Sequence, residues 1–210
     1  MISYKNYRFS NIFINYCSMQ FKRAGTYILK KLSRELPAHL SYHSVEHIND
    51  VFKAAQRIGT MEGIGRHEMK LLLTAAWYHD AGFLKGAKDH EEESCRIASE
   101  VLPPFGYTPV EIDRICGLIM ATKIPQAPTN LLEQILADAD LDYLGRDDFF
   151  TIGNQLFAEL SVFGIIQTEE EWNRLQVRFL EGHHYFTQTA IKTRQSQKEK
   201  HLERVKAKLL

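Results

Sequence analysis

Residues 69–78 contain Met69, Leu71, Leu72, Leu73, Ala75, Ala76, Trp77 and Tyr78, and they run without a break into His79-Asp80. A helix apolar on nearly every side belongs in the middle of a fold, with other elements packed all around it. The rest of the chain offers those neighbours at helical spacing. Phe21, Ala24, Ile28, Leu29, Leu32 and Leu36 mark one helix, which Pro37 ends. Ser41 is placed to cap a second, carrying His43 and His47 and continuing through Val51, Ala54, Ala55 and Ile58 to the glycines at 59, 63 and 65. Further helices are expected over 90–102, stopped by Pro103-Pro104, and over 109–121, capped by Thr108 with Pro109 at its first position. Others are expected over 131–144 and 147–163, and one starts at Thr168, which forms a capping-box pattern with Glu171. No alternation long enough for a sheet occurs, so the expected class is all-α with about eight helices.

At 210 residues the chain suits one well-cored domain. The expected organisation is an aromatic-rich extension at 1–19, a main domain at 20–194 and a charged helical tail at 195–210, solvated or in contact with a second copy. Acidic and basic residues balance at 26 each, which argues against a broad basic field for nucleic acid. No run approaches about 18 apolar residues, so no spanning helix is expected. The N-terminus lacks the continuous apolar core of a signal peptide. Cys17, Cys95 and Cys116 form no CxxC pair and read as reduced thiols, and the location expected is cytoplasmic.

Three segments carry chemistry. If 42–51 is helical, His43 and His47 are four apart and share a face. His79-Asp80 ends the central helix, and Asp138 and Asp140 lie on another deep one. Taken singly, each is compatible with a packed histidine, a helix-terminal Asp or an acidic surface cluster. Together they place imidazoles and carboxylates where unpaired burial is costly. A shared divalent cation would satisfy both, and the mixed N/O set suits Zn, Mn, Fe or Ni.

The order His … His-Asp … Asp on a helical scaffold resembles the HD-domain superfamily of metal-dependent phosphohydrolases, over roughly residues 40–145. The segment Tyr42-His43-x-x-x-His47-x-x-Asp50-Val51 is similar to the signature of class I cyclic-nucleotide phosphodiesterases. The resemblance implies an HD-domain, phosphodiesterase-like helical bundle. It implies His47, His79, Asp80 and Asp140 as metal ligands, Mg included among the ions they would hold. It makes His43 the general acid and gives Asp80 a catalytic role as well. Asp140-Leu141 matches the end of the family pattern better than Asp138, which is left to brace a ligand histidine.

His90 stands where two-metal members place a further histidine, but the expected following pair is replaced by Ile119-Met120-Ala121-Thr122-Lys123. Lys85 and Lys123 are candidate substrate-phosphate contacts. The expected activity is hydrolysis of a phosphomonoester or phosphodiester by metal-activated water, with a nucleotide, cyclic or not, as the implied substrate. The alternative is a non-catalytic HD module that senses a nucleotide or binds a partner. A homo-oligomer is compatible with either terminal segment.

Overall fold

The computed structural model of the protein describes residues 19–210. Among these the elements are α1 (Phe21–Glu35), α2 (Val45–Met61), α3 (Arg66–Tyr78), α4 (His90–Val101), α5 (Pro109–Met120), α6 (Leu131–Asp140), α7 (Phe149–Val162), α8 (Glu169–Gly182) and α9 (Gln188–Ala207). Short 3-10 turns follow α3 (Ala81–Leu84), α4 (Pro103–Phe105) and α6 (Asp142–Gly145), and no strand is present among the described residues.

The apolar α3 takes the central place its composition demands. Leu71, Leu72, Ala75, Ala76 and Tyr78 are fully buried, and α1, α2, α5, α6 and α4 pack around it. Helix α2 lies along both α3 and α6, so the ends of three core helices converge where the candidate site residues sit. A second apolar cluster, including Tyr42, Leu141, Leu144, Phe149, Leu180 and Val205, joins the region after α6 to α7, α8 and α9. Local capping follows the sequence. Thr108 Oγ1 accepts from the Glu111 amide at 3.3 Å while Glu111 Oε2 accepts from the Thr108 amide at 2.8 Å. Thr168 and Glu171 do the same at 3.2 and 3.1 Å.

Several expectations need correction. Helix α2 starts at Val45 with Ser44 as its cap, whereas Ser41 donates its hydroxyl to the Gln155 carbonyl oxygen at 2.7 Å. His43 therefore precedes the helix and does not share a helical face with His47. The helix expected over 131–144 ends at Asp140 and tightens into the turn at Asp142–Gly145. The described residues hold nine α-helices, in keeping with the expected all-α class of about eight. The extension expected at 1–19 lies outside the described residues but for Met19, as does Cys17; Cys95 and Cys116 are free thiols.

The charged tail expected from 195 onward is helical and amphipathic, with one side exposed and the other packed on the domain. The boundary falls inside α9, whose Lys198, His201 and Val205 are buried against α8 and the turn after α6. His201 Nδ1 donates to the Leu144 carbonyl oxygen at 2.9 Å, and its ring stacks on Phe149 at 4.6 Å. The start of α9 is fastened by Asp138. Its carboxylate accepts from the Phe186 and Thr187 amides at 2.9 and 2.7 Å and from the Thr187 hydroxyl at 2.6 Å. Asp138 therefore anchors a chain segment instead of bracing a ligand histidine.

Gly82 permits the close approach of the turn after α3 to the start of α4. A Cβ there would lie 2.0 Å from the His90 carbonyl oxygen. Gly82→Ala is expected to destabilise the protein by roughly 2–3 kcal/mol, a fall of about 5–10 °C in Tm for a chain this size. Gly117→Ala, whose Cβ meets nothing closer than Glu133 Oε1 at 3.5 Å, should melt no lower than the parent. Thermal denaturation of the two variants side by side checks this.

Candidate active site

The site is built from the end of α3, the start of α2 and the last residue of α6. His79 follows α3 directly and is buried, with Nδ1 2.9 Å from the Ala76 carbonyl oxygen, to which it donates. That bond leaves Nε2 with its lone pair turned into the cluster, the state a metal-ligating histidine needs. His47, in the first turn of α2, brings its Nε2 to 3.4 Å from that of His79. Asp80 Oδ2 lies 3.4 Å from His47 Nε2 and 3.3 Å from His79 Nε2. Asp140 Oδ1 lies 3.1 and 3.4 Å from the same two nitrogens.

These separations are what a common ion imposes. Ligands about 2.0–2.2 Å from one centre, at angles between octahedral and tetrahedral, stand roughly 3.0–3.5 Å apart. His47, His79 and Asp80 present donor atoms all within 4.8 Å of one another. Asp80 Oδ2 is also a buried carboxylate oxygen with no hydrogen-bond partner, aimed at two imidazoles. Such an orphaned acceptor is costly unless something positive fills the space between. Burial opposes charge on His79, but the Asp80 and Asp140 carboxylates outweigh it and raise its pKa well above the usual imidazole value. Burial likewise opposes ionisation of Asp80 and Asp140, and the neighbouring histidines hold both below the ordinary carboxylate range. The cluster calls for positive charge between two carboxylates, supplied by a proton on His79 or by a cation that displaces it. The residues present fit a divalent ion.

His43 stands beside this cluster and not in it. Its ring is 6.2 Å from that of His47, centre to centre, and stacks on Phe83 at 4.0 Å. Its Nδ1 hydrogen bonds to Glu159 Oε1 on α7. Glu159 Oε2 accepts from the Tyr42 and His43 amides at 2.8 and 3.1 Å. Although burial opposes its charge, His43 and the two amides hold the Glu159 carboxyl below its usual range. One buried acid thus fixes both the backbone and the ring of His43, leaving the other ring nitrogen for the cavity that His43 lines.

Glu159 was not singled out from the sequence. The signal is an acid in register with the inner face of α7, after Phe149, Gly153 and Leu156, and it is visible only once that face is known to be inner. Because its folded carboxyl is lowered, Glu159 contributes its full stability above about pH 4.3, the unfolded value. That contribution is lost as pH falls through the lower folded value. Acid titration followed by circular dichroism should show the parent losing stability relative to Glu159→Gln below about pH 4.3, and the gap should be constant above it.

The remaining candidates are dispersed. His90, at the start of α4, places Nε2 3.5 Å from Asp80 Oδ1, the oxygen opposite the one facing His47 and His79. Its ring packs on Phe83 at 4.4 Å, and its Nδ1 donates to the Ala87 carbonyl oxygen at 3.1 Å. Lys123 pairs with Glu92 and lies 3.9 Å from Asp89, at the rim. Lys85 faces a separate groove with Tyr27, Lys31 and Arg96, away from the His/Asp cluster. Asp50 accepts from Arg146 at 2.6 Å.

Next to the cluster opens a cavity of about 210 Å³, whose lining includes Asp80, Asp140, His43 and His90 as well as Trp172, Phe179 and Leu180.

Comparison with known proteins bears on this arrangement. A family model, the HD domain, matches residues 42–142, the span that holds both histidines of the first motif, His79-Asp80 and Asp140. The fold is similar to the crystal structure of a predicted HD superfamily hydrolase from an uncultured Thermotogales bacterium. That chain is 21% identical, the match covers 88% of this chain and 90% of that one, and the TM-score is 0.60. No curated protein matches.

Proposed function

Because the chain belongs to the HD-domain superfamily, with its HD domain at residues 42–142, we propose that it is a metal-dependent phosphohydrolase acting on a phosphomonoester or phosphodiester. The observation that carries this reading is the orphaned Asp80 Oδ2, set between two imidazole nitrogens with Asp140 on the same pair. A divalent ion held by His47, His79, Asp80 and Asp140 would lower the pKa of a water and offset charge on phosphoryl oxygens.

The chain's own residues do the rest. His79 keeps its lone pair inward through its bond to Ala76, and Asp80 and Asp140 balance the charge. His43 gives a proton to the departing ester oxygen, which otherwise leaves as a strongly basic alkoxide. Glu159 holds the ring and the backbone of His43 in place for that transfer. His90 neighbours the second oxygen of Asp80 and is positioned to meet substrate or a further ion. Nucleotides, cyclic ones included, belong to this substrate class and to the first screen, on the similarity of Tyr42–Val51 to the phosphodiesterase signature. No helix among the described residues is long and apolar enough to cross a membrane.

The test is a panel of phosphomonoesters and phosphodiesters offered to protein reconstituted with Mn, Zn, Ni, Fe or Mg. Turnover that depends on added metal and is lost on chelation supports the reading. Tight binding of a nucleotide without turnover under any metal would replace it with the sensory alternative.

A further inference from the structure

We infer that the substrate's leaving group is an uncharged apolar group, alkyl or aryl, seated in the cavity beside the His/Asp cluster. This rests on the phosphoester reading for its chemistry and goes beyond it by naming the part of the substrate that the protein selects.

The cavity walls carry the argument. Leu141, Leu144, Phe149, Leu156, Trp172 and Phe179 line it beyond the cluster. Among the described residues no Lys or Arg lines it, while Glu91, Asp80 and Asp140 do. Three carboxylates and no fixed cation make a poor site for a polyphosphate, whose charge one divalent ion does not neutralise. Lys123, at the rim, is engaged by Glu92. A second pocket shares Tyr42, Asp140 and Tyr143 and does contain Lys53 and Arg146, but Arg146 is bound by Asp50 and Asp148. The amide of Gln176 is polar, yet its Nε2 turns to Asn173 Oδ1 at 3.4 Å.

The position of His43 fits as well, since it lines the same cavity. Water adds its oxygen to phosphorus and the P–O bond to the apolar group breaks. The group leaves as an alcohol carrying the proton from His43, and a proton of the attacking water restores the imidazole. The products are an alcohol and, from a monoester, inorganic phosphate.

The experiment uses the metal-loaded full chain with a ladder of n-alkyl phosphates, phenyl phosphate, a nucleoside monophosphate and a cyclic nucleotide. Calorimetric titrations with n-alkylphosphonates, which lack the scissile bond, run beside it. Both kcat/KM and phosphonate affinity should rise about fourfold per methylene until the apolar walls are covered. A flat or falling ladder, or a nucleotide preferred tenfold over the best alkyl or phenyl ester, overturns the inference.

If no ester is hydrolysed, the hydrolytic reading fails and the phosphonate ladder alone decides this one. A rising ladder upholds the cavity assignment and a flat one removes it. Two variants add a check that misfolding cannot mimic. A Cβ on Gly153 meets nothing closer than Gln176 Oε1 at 3.5 Å and Trp172 at 3.7 Å, so Gly153→Leu extends into the cavity and should shorten the preferred chain. Leu156→Ala enlarges the cavity and should lengthen it. If neither moves the optimum, the apolar group does not sit there.

Discussion

Asp80→Ala should bind no stoichiometric divalent ion and should hydrolyse substrate at the background rate, a loss of at least about a thousandfold. The size of the effect follows from its place. Asp80 faces both imidazole nitrogens with one oxygen and His90 with the other, so no neighbour can assume its position. Stability separates loss of the ion from loss of the fold. Added metal at about a hundred times its dissociation constant stabilises a protein that binds it only when folded by about 2.7 kcal/mol. For a chain this size that is a rise of roughly 5–10 °C in Tm. The parent should show this rise in differential scanning fluorimetry and the variant should show none. Without metal the variant should melt somewhat lower than the parent, because buried His79 loses the carboxylate that pairs with it, so the readout is the metal-induced rise and not the starting Tm. A variant that keeps the metal-induced rise would take Asp80 out of the ligand set.

The second large effect separates proton transfer from metal binding. His43→Ala should lower kcat by about 10²–10⁴, the usual range for a general acid, while metal content and the metal-induced rise in Tm remain. Esters with good leaving groups, which need little protonation, should lose much less. Glu159→Gln should reproduce part of this loss, since a neutral amide takes the place of the carboxylate that fixes the His43 ring. Glu159→Ala should also destabilise the fold, because the Tyr42 and His43 amides lose a shared acceptor. Equal losses on esters with good and poor leaving groups would assign His43 to binding instead.

Helical periodicity and capping made most of the scaffold legible. The strongly apolar run before His79 identifies the central helix, and Thr108, Thr168 and Pro109 mark where helices begin. The tail reads as helical from 195, but the start of α9 at Gln188 and its packing are hidden because its buried positions are Thr189, Ala190, Lys198, His201 and Val205, which do not read as an apolar stripe. Lys198 and His201 are inside only because His183, Leu144 and Phe149 supply partners from distant parts of the chain.

The site shows the same division. Adjacent His79-Asp80 at the end of a buried helix is a strong local signal. The geometry of His43 was misread because periodicity cannot tell whether Ser41 or Ser44 caps α2. Ser44 prevails in the structure, with its hydroxyl 3.4 Å from the His47 amide, while the Tyr42 and His43 amides are taken by Glu159. That acid lies more than a hundred residues away, and no spacing rule links it to His43.

The central claim is that the two histidines of the first motif have different work, His47 in the metal centre and His43 outside it. Native mass spectrometry of His47→Ala and His43→Ala after the same metal reconstitution tests this most directly. His43→Ala is predicted to carry the ion at the parent's stoichiometry, and His47→Ala to carry none. Loss of the ion from both variants, or its retention in both, would contradict the division.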